Sequence, residues 1–263
     1  MTKTLYLDCG YGIAGDMTLA ALCGLGADAE VVQQELRKVV NFDFTMAIES
    51  VNQHGITANH LTLTFGTEIL PPTGHRHEHV RAGHQHNHYA AIKQMIDTSD
   101  LNAHVKAMSQ KVFATIAAAE SKIHGVPLED VAFHEVGAMD SLIDIIGNCI
   151  AIDLLGVEQI ECTPVPTGHG KVQVAHGLYP VPAPATLEML RGVPLSDFDI
   201  EGEVTTPTGA ALVKTLTDYF VEELNGTVEA ISYGAGTKQF AHPNVLRAVL
   251  LDVDEKKKIR SIA

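Results

Sequence analysis

Apolar and polar positions along the 263 residues follow two different periods. Strands repeat a face every second residue, and helices every three to four. Leu5, Tyr6 and Leu7 read as a buried strand, running through Asp8 into the Gly-rich segment Gly10-Tyr11-Gly12-Ile13-Ala14-Gly15. Helices are expected over 16–25 and 29–40. Residues 44–50 and 56–65 alternate well enough for two strands, with Gln53-His54-Gly55 as the turn. Helices follow over 89–95 and 101–124. The second carries apolar residues at 105, 108, 112, 116 and 119, and Gly125 and Pro127 end it. A short strand is expected over 131–133, a helix over 137–155, and strands over 160–165 and 171–175. A proline-rich turn over 179–184 leads into a helix over 185–191. Thr205-Thr206-Pro207-Thr208-Gly209 starts a helix reaching 220, and strands over 227–232 and 246–253 close the pattern. Strands alternating with helices imply a layered α/β fold, and the hairpins make its sheet mixed (α+β) rather than purely parallel. The expected organisation is one domain over 1–253, which could divide into two lobes. It carries a His-rich loop over 71–88 and is followed by a charged tail over 254–263.

Composition narrows the classes. An apolar fraction of 46% and a charged fraction of 19% are ordinary for a globular protein. The net charge of -14 argues against a nucleic-acid surface and against anionic membranes, and is compatible with holding cations. The four cysteines, Cys9, Cys23, Cys149 and Cys162, form no C-x-x-C pair. A zinc ribbon or a thioredoxin-like site is therefore not expected, and Cys9 and Cys149 read as buried small apolar residues. No signal-peptide pattern opens the chain, and the most apolar stretch, 142–155, carries Asp144, Asn148 and Asp153. A cytoplasmic protein with free thiols is expected.

Five segments could carry chemistry. His75, His77, His79, His84, His86 and His88 form two H-x-H-x-H triplets. In an extended backbone each triplet aims its imidazoles to one side, and imidazole suits nickel, copper and zinc. A solvated polar loop is the plain alternative. Asp8 and Asp16 flank the Gly12–Gly15 turn, whose amides could receive an anion while the carboxylates hold a cation; a simple connection with Asp16 capping the helix is the alternative. His134, Glu135, Asp140 and Asp144 precede or line the 137–155 helix, with Asp140 and Asp144 on one face. That face could bind a metal or remain a solvated stripe. His169 and His176 lie beside glycines at hairpin ends, as ligands or as ordinary hydrogen-bonded histidines. Thr206 is a natural N-cap and Pro207 a natural first helical residue. With Thr208, and with Gly234 and Gly236 further on, Thr206 could also cradle a phosphate.

Several of these segments carry a resemblance. Tyr6-Leu7-Asp8-Cys9 with Gly12-Ile13-Ala14-Gly15-Asp16-Met17, the internal His-rich loop, and Phe133-His134-Glu135-Val136-Gly137-Ala138-Met139-Asp140-Ser141 are similar to the LarC family. So are Ala175-His176-Gly177 with Pro180-Val181-Pro182-Ala183-Pro184-Ala185-Thr186, Thr205-Thr206-Pro207-Thr208-Gly209, and Gly234-Ala235-Gly236-Thr237. The match runs in order across nearly the whole chain. LarC proteins insert nickel into pyridinium-3,5-bisthiocarboxylic acid mononucleotide, forming one carbon–nickel and two sulfur–nickel bonds. The product is the nickel-pincer cofactor of lactate racemase, and the reaction uses CTP with Mn2+ or Mg2+. The resemblance therefore implies a nickel chelatase of the lyase class. The residue reading fits that reaction, with His134, Glu135 and Asp140 as the expected catalytic residues and Gly12, Gly15, Thr206, Thr208, Gly234 and Gly236 as the expected substrate-binding ones. Asp8, Asp16, Asp144, the six loop histidines, His169 and His176 are the expected metal-handling residues. Expected partners are the pyridinium mononucleotide, a C-terminal LarC domain not present in this sequence, pathway proteins of lactate racemase, and further copies of the chain. Two readings compete: a nickel trafficking or storage protein without catalysis, and a divalent-metal phosphohydrolase.

Overall fold

The computed structural model describes residues 1–66, 68–69, 88–133, 139–174 and 177–253. The elements, in chain order, are β1 (Thr2–Asp8), α1 (Gly15–Gly24), α2 (Ala29–Leu36), β2 (Phe44–Gln53), β3 (Ile56–Phe65), β4 (Glu68–Ile69), α3 (Tyr89–Thr98) and α4 (Ala103–His124). After a 3-10 turn come α5 (Met139–Leu154), β5 (Gln159–Cys162), β6 (Lys171–Val174), β7 (Gly177–Pro180), α6 (Pro184–Met189), α7 (Pro207–Leu216), β8 (Tyr219–Phe220), β9 (Thr227–Ala235) and β10 (Val245–Val253).

The main sheet has the order β2-β3-β9-β10-β1-β5-β8, with β4 paired to β3. It is mixed, as expected: β1 runs antiparallel to β10 and parallel to β5. The hairpin β2–β3 turns at His54 and Gly55, both at positive φ, which matches the twist of the flanking strands. A single parallel bridge, Asn59 to Gly234, joins that hairpin to β9. β6 and β7 form a separate two-stranded ribbon.

Strand alternation decides which side chains meet the helices. Leu5, Leu7, Leu246, Ala248 and Leu250 enter one large core with residues of all seven helices. Tyr6, Val249 and Leu251 point the other way into a small cluster of their own. The helix ends follow from local chemistry. Asn102 accepts the Val105 amide at 2.9 Å at the start of α4, and Gly125, left-handed at φ 66°, stops it.

Three elements differ from the sequence reading. The helix starting at Pro207 stops at Leu216, because the Asp218 carboxylate takes the Ile160 amide at 2.8 Å and Tyr219–Phe220 pair with β5. Residues 131–133 make one bridge, Ala132 to His88, and no strand. The second helix ends at Leu36, with its last amide bonds tightening into a turn through Val39. The His-rich loop up to His86 and the tail over 254–263 lie outside the described residues.

Candidate functional site

The carboxyl end of β1 leads into a tight turn in which the Gly12 amide donates to the Cys9 carbonyl at 2.7 Å. Gly12 needs its glycine: φ is 102°, and a Cβ there would stand 2.2 Å from the Val204 carbonyl oxygen. Ile13 then pairs with the segment ahead of α7. Its amide donates to Val204 at 3.0 Å, and the Thr206 amide donates back to Ile13 at 3.1 Å. This short zipper sets the N-termini of α1 and α7 side by side. At α7, Thr206 is the N-cap, its Oγ1 accepting the Gly209 amide at 3.2 Å, with Pro207 in the first turn. At α1 the N-cap is Ala14, which has no side-chain bond to give. Asp16 is therefore not the cap. It stands in the first turn and accepts its neighbour Met17's amide at 2.8 Å.

Gly15 is where three helices meet. A Cβ on it would lie 2.7 Å from Asp144 Oδ2 on α5 and 2.7 Å from Thr208 Cγ2 on α7. The fully buried Asn148 holds the junction, its Nδ2 donating to the Gly15 carbonyl at 2.9 Å and the Asp144 carbonyl at 2.7 Å. Burial pushes the Asp144 carboxyl well above the usual carboxylate range, and the charges of Asp16 and Asp140 push it further. Burial raises Asp16 as well, opposed by the Met17 amide and by His60 on β3. Among the described residues, neither Asp16 nor Asp144 forms a salt bridge with Lys or Arg. Asp144 Oδ1 and Asn148 Oδ1 are buried without a hydrogen-bond partner. Two carboxylates so placed can relieve their repulsion by taking up a proton or a divalent cation. Among the described residues, no group of three or more His, Cys, Asp and Glu side chains is arranged to hold a metal. The corner thus offers two carboxylates and an amide oxygen rather than a closed cage.

The other sequence candidates fall in several places. Asp140, exposed at the start of α5, joins the Asp16–Asp144 corner electrostatically. Asp8 is bound to the Arg247 guanidinium on β10, and its other oxygen accepts the Gly10 amide at 3.1 Å. Gly234 and Gly236 lie beneath α1: a Cβ on Gly234 would stand 1.7 Å from the Met17 carbonyl oxygen, and one on Gly236 3.0 Å from Met17 Sδ. They set helix-to-sheet spacing. His169 pairs with Asp199 at 2.8 Å on the surface, and His88 is the exposed residue ahead of α3. His75, His77, His79, His84, His86, His134, Glu135 and His176 lie outside the described residues.

Three contacts join residues that the sequence reading did not bring together. His60 on β3 meets the Ala235 carbonyl through Nδ1 at 3.2 Å and lies within electrostatic range of Asp16. Lys238 donates to the Glu203 carbonyl at 2.9 Å and pairs with the buried Glu203 carboxylate at 3.7 Å. Tyr11, His242 and Phe240 stack in a column. Each joins residues distant in sequence, so no local pattern announces it. Asn148 did carry a signal, one turn beyond Asp144 on the same helix face.

A family described as nickel insertion protein matches residues 5–262. The chain belongs to the nickel insertion protein family. This bears out the LarC resemblance. The pyridinium-3,5-bisthiocarboxylic acid mononucleotide nickel insertion protein of Staphylococcus epidermidis is 47% identical over 252 residues, covering 96% of this chain and 60% of that protein. The proteins of the same name from Staphylococcus saprophyticus and Geobacillus kaustophilus are 47% and 43% identical over 249 residues each. Those alignments cover 95% and 94% of this chain and 60% and 59% of the relatives. The chain thus spans about three fifths of the length of these nickel insertion relatives. No solved structure gives a significant match. Among the described residues, no helix is long and apolar enough to cross a membrane.

Proposed function

We propose that this chain inserts nickel into pyridinium-3,5-bisthiocarboxylic acid mononucleotide, receiving the metal at the Asp16–Asp144 corner and the substrate phosphate at the neighbouring helix starts. The observation that carries the reading is Asp144: a carboxylate whose Oδ1 is buried without a partner, beside a second carboxylate, where two helix N-termini converge. Helix starts favour anions through their free amides and dipole. Hard carboxylate oxygens hold nickel loosely enough to release it to softer sulfur. An incomplete protein ligand set suits a metal that must leave, because the two thioacid sulfurs and the ring carbon complete its coordination.

The insertion breaks one ring carbon–hydrogen bond and forms one carbon–nickel and two sulfur–nickel bonds. The proton needs an acceptor. Asp140, at the exposed edge of the corner, is one; Glu135 and His134, just ahead of α5, are the others we assign. The loop histidines and His176 gather nickel for the corner. CTP with Mn2+ or Mg2+ drives the reaction, bound by a C-terminal domain working with this one. The product serves lactate racemase, and the reaction belongs to the cytoplasm and to the lyase class.

Asp144→Asn keeps the shape and removes the charge. With the substrate, CTP, Mn2+ and the C-terminal domain supplied, it is expected to slow nickel insertion, followed by absorbance and mass, by about 10–100-fold, the usual effect of weakening a metal site. Full insertion by this variant would overturn the assignment of the corner. Tight binding of several nickel ions with no change in the mononucleotide would make the protein a nickel store instead.

A further inference from the structure

A column of aromatic rings ends at Tyr11, four residues ahead of Gly15. Phe240 and His242 lie nearly parallel, 7° apart with centroids at 5.1 Å, and His242 and Tyr11 lie 15° apart at 5.1 Å. Phe198 braces the column edge-on, at 5.0 Å from His242 and 5.6 Å from Tyr11. These are favoured aromatic geometries, and they fix the Tyr11 ring in place. The backbone fixes it as well. Tyr11 sits at the tip of the turn closed by the Gly12 amide on the Cys9 carbonyl, and the Phe240 carbonyl meets His54 Nε2 at 3.1 Å. Yet Tyr11 remains 38% exposed. A large ring held by His242 and Phe198, with Phe240 backing His242, and still open to water is preorganised to stack on something.

Position says what. Tyr11 is four residues ahead of Gly15, and four residues of extended chain span at most about 14 Å. One ligand can therefore touch both the Tyr11 ring and the paired helix starts. A ligand with a planar ring at one end and a phosphate at the other is a mononucleotide. The rich π-face of tyrosine attracts a ring that carries positive charge more than a neutral one.

We propose that the outer face of Tyr11 is the stacking platform for the cationic pyridinium ring of the mononucleotide, with His242, Phe240 and Phe198 as its support. The proposal rests on the nickel-insertion reading for the identity of the ligand, and assigns the residue that recognises its ring. Tyr11 binds and orients; it takes no part in proton or metal transfer.

The test uses nicotinic acid mononucleotide, whose ring is a pyridinium cation, and its reduced form, whose dihydropyridine ring is uncharged and non-aromatic. The chain has no tryptophan, so quenching of tyrosine emission reads binding directly, with calorimetry alongside. The wild type is expected to bind the oxidised form more tightly than the reduced one. Tyr11→Leu is expected to weaken oxidised binding roughly tenfold, in the range of a lost stacking contact, and to erase the preference. Tyr11→Phe, which keeps the column, is expected to bind nearly as the wild type does. Unchanged affinity in Tyr11→Leu overturns the proposal. If that variant does not fold, equal binding of the two forms by the wild type overturns it as well. The two readings fail separately. Nickel insertion with a KM untouched by Tyr11→Leu removes the platform and leaves the insertion reading standing. Tyr11-dependent binding in a protein that inserts no nickel with CTP, Mn2+ and the C-terminal domain present keeps the platform and removes the insertion reading.

Discussion

At the scale of single residues, Asp144 is the informative one, because its environment is unfavourable to its charge and nothing among the described residues compensates. Both it and Asp16 hold their protons to higher pH in the folded chain than in the unfolded one. The unfolded chain releases those protons near pH 4, while the folded chain retains them. The stabilisation is therefore complete below about pH 4 and is lost as pH rises toward the raised folded values. In metal-free protein, Asp144→Asn is expected to flatten this decline and to raise the Tm at pH 7 by a few degrees, on the order of 1 kcal/mol in a domain of this size. Thermal melts of both proteins from pH 4 to 8 check it; a melting point that falls at pH 7 would show that the carboxylate has a partner worth more than its burial costs. Nickel is expected to raise the Tm of the wild type and to do so far less in Asp144→Asn, since a ligand that binds only the folded state stabilises it by mass action.

At the scale of elements, glycines set how closely α1 lies on the sheet, and the atoms they face decide the cost of replacing them. A Cβ on Gly234 meets the backbone of α1, at the Met17 carbonyl and the Ala21 amide, whereas one on Gly147 meets the end of the Leu19 side chain at 2.9 Å. Backbone in a packed helix cannot yield without moving the helix; a leucine methyl can rotate. Gly234→Ala is expected to cost about 2–4 kcal/mol and Gly147→Ala less than about 1 kcal/mol, read from denaturant midpoints. Equal costs would mean that α1 shifts freely over β9. The same contrast shows what was legible in the sequence. Thr206-Pro207 and Gly125 are local signals, and the helix ends they mark are where they were expected. The His54-Gly55 turn and the alternation of β2 and β3 were equally plain. The two-residue strand β8 was not, because so short a run has no period and is held only by pairing with β5. At Gly234 and Gly236 the sequence shows that backbone is approached closely, but not that Met17 of α1 is among the groups that approach it. The face shared by Asp140 and Asp144 was visible from their spacing. That Gly15 of a distant helix would press against Asp144, and that His60 would come within electrostatic range of Asp16, depends on strand order and could not be.

At the scale of the whole molecule, the corner lies at the end of the sheet where β1, β5 and β9 finish and β10 begins. Glu222, Glu223 and Glu229 are exposed just ahead of β9 and within its first residues, and that strand begins opposite Asp252, at the other end of the sheet. A net charge of -14 surrounds both ends with a potential that draws in cations. Steering and holding are different physical jobs. Steering acts over many ångströms and is screened once the Debye length falls to about 10 Å near 0.1 M salt. Holding acts through contact and survives salt far better. Replacing the three distal glutamates by glutamine is therefore expected to slow nickel association at low salt by a factor of about 2–5, to leave dissociation unchanged, and to have no effect at 0.5 M salt. Asp144→Asn is expected to do the reverse, speeding dissociation at every salt concentration while changing association little. Stopped-flow nickel binding of the two variants across a salt series separates the roles. If the distal glutamates govern dissociation, nickel is held by the general acidity of the surface and not by the corner. If Asp144→Asn alone does, the acidic surface delivers the metal and the junction of α1, α5 and α7 keeps it.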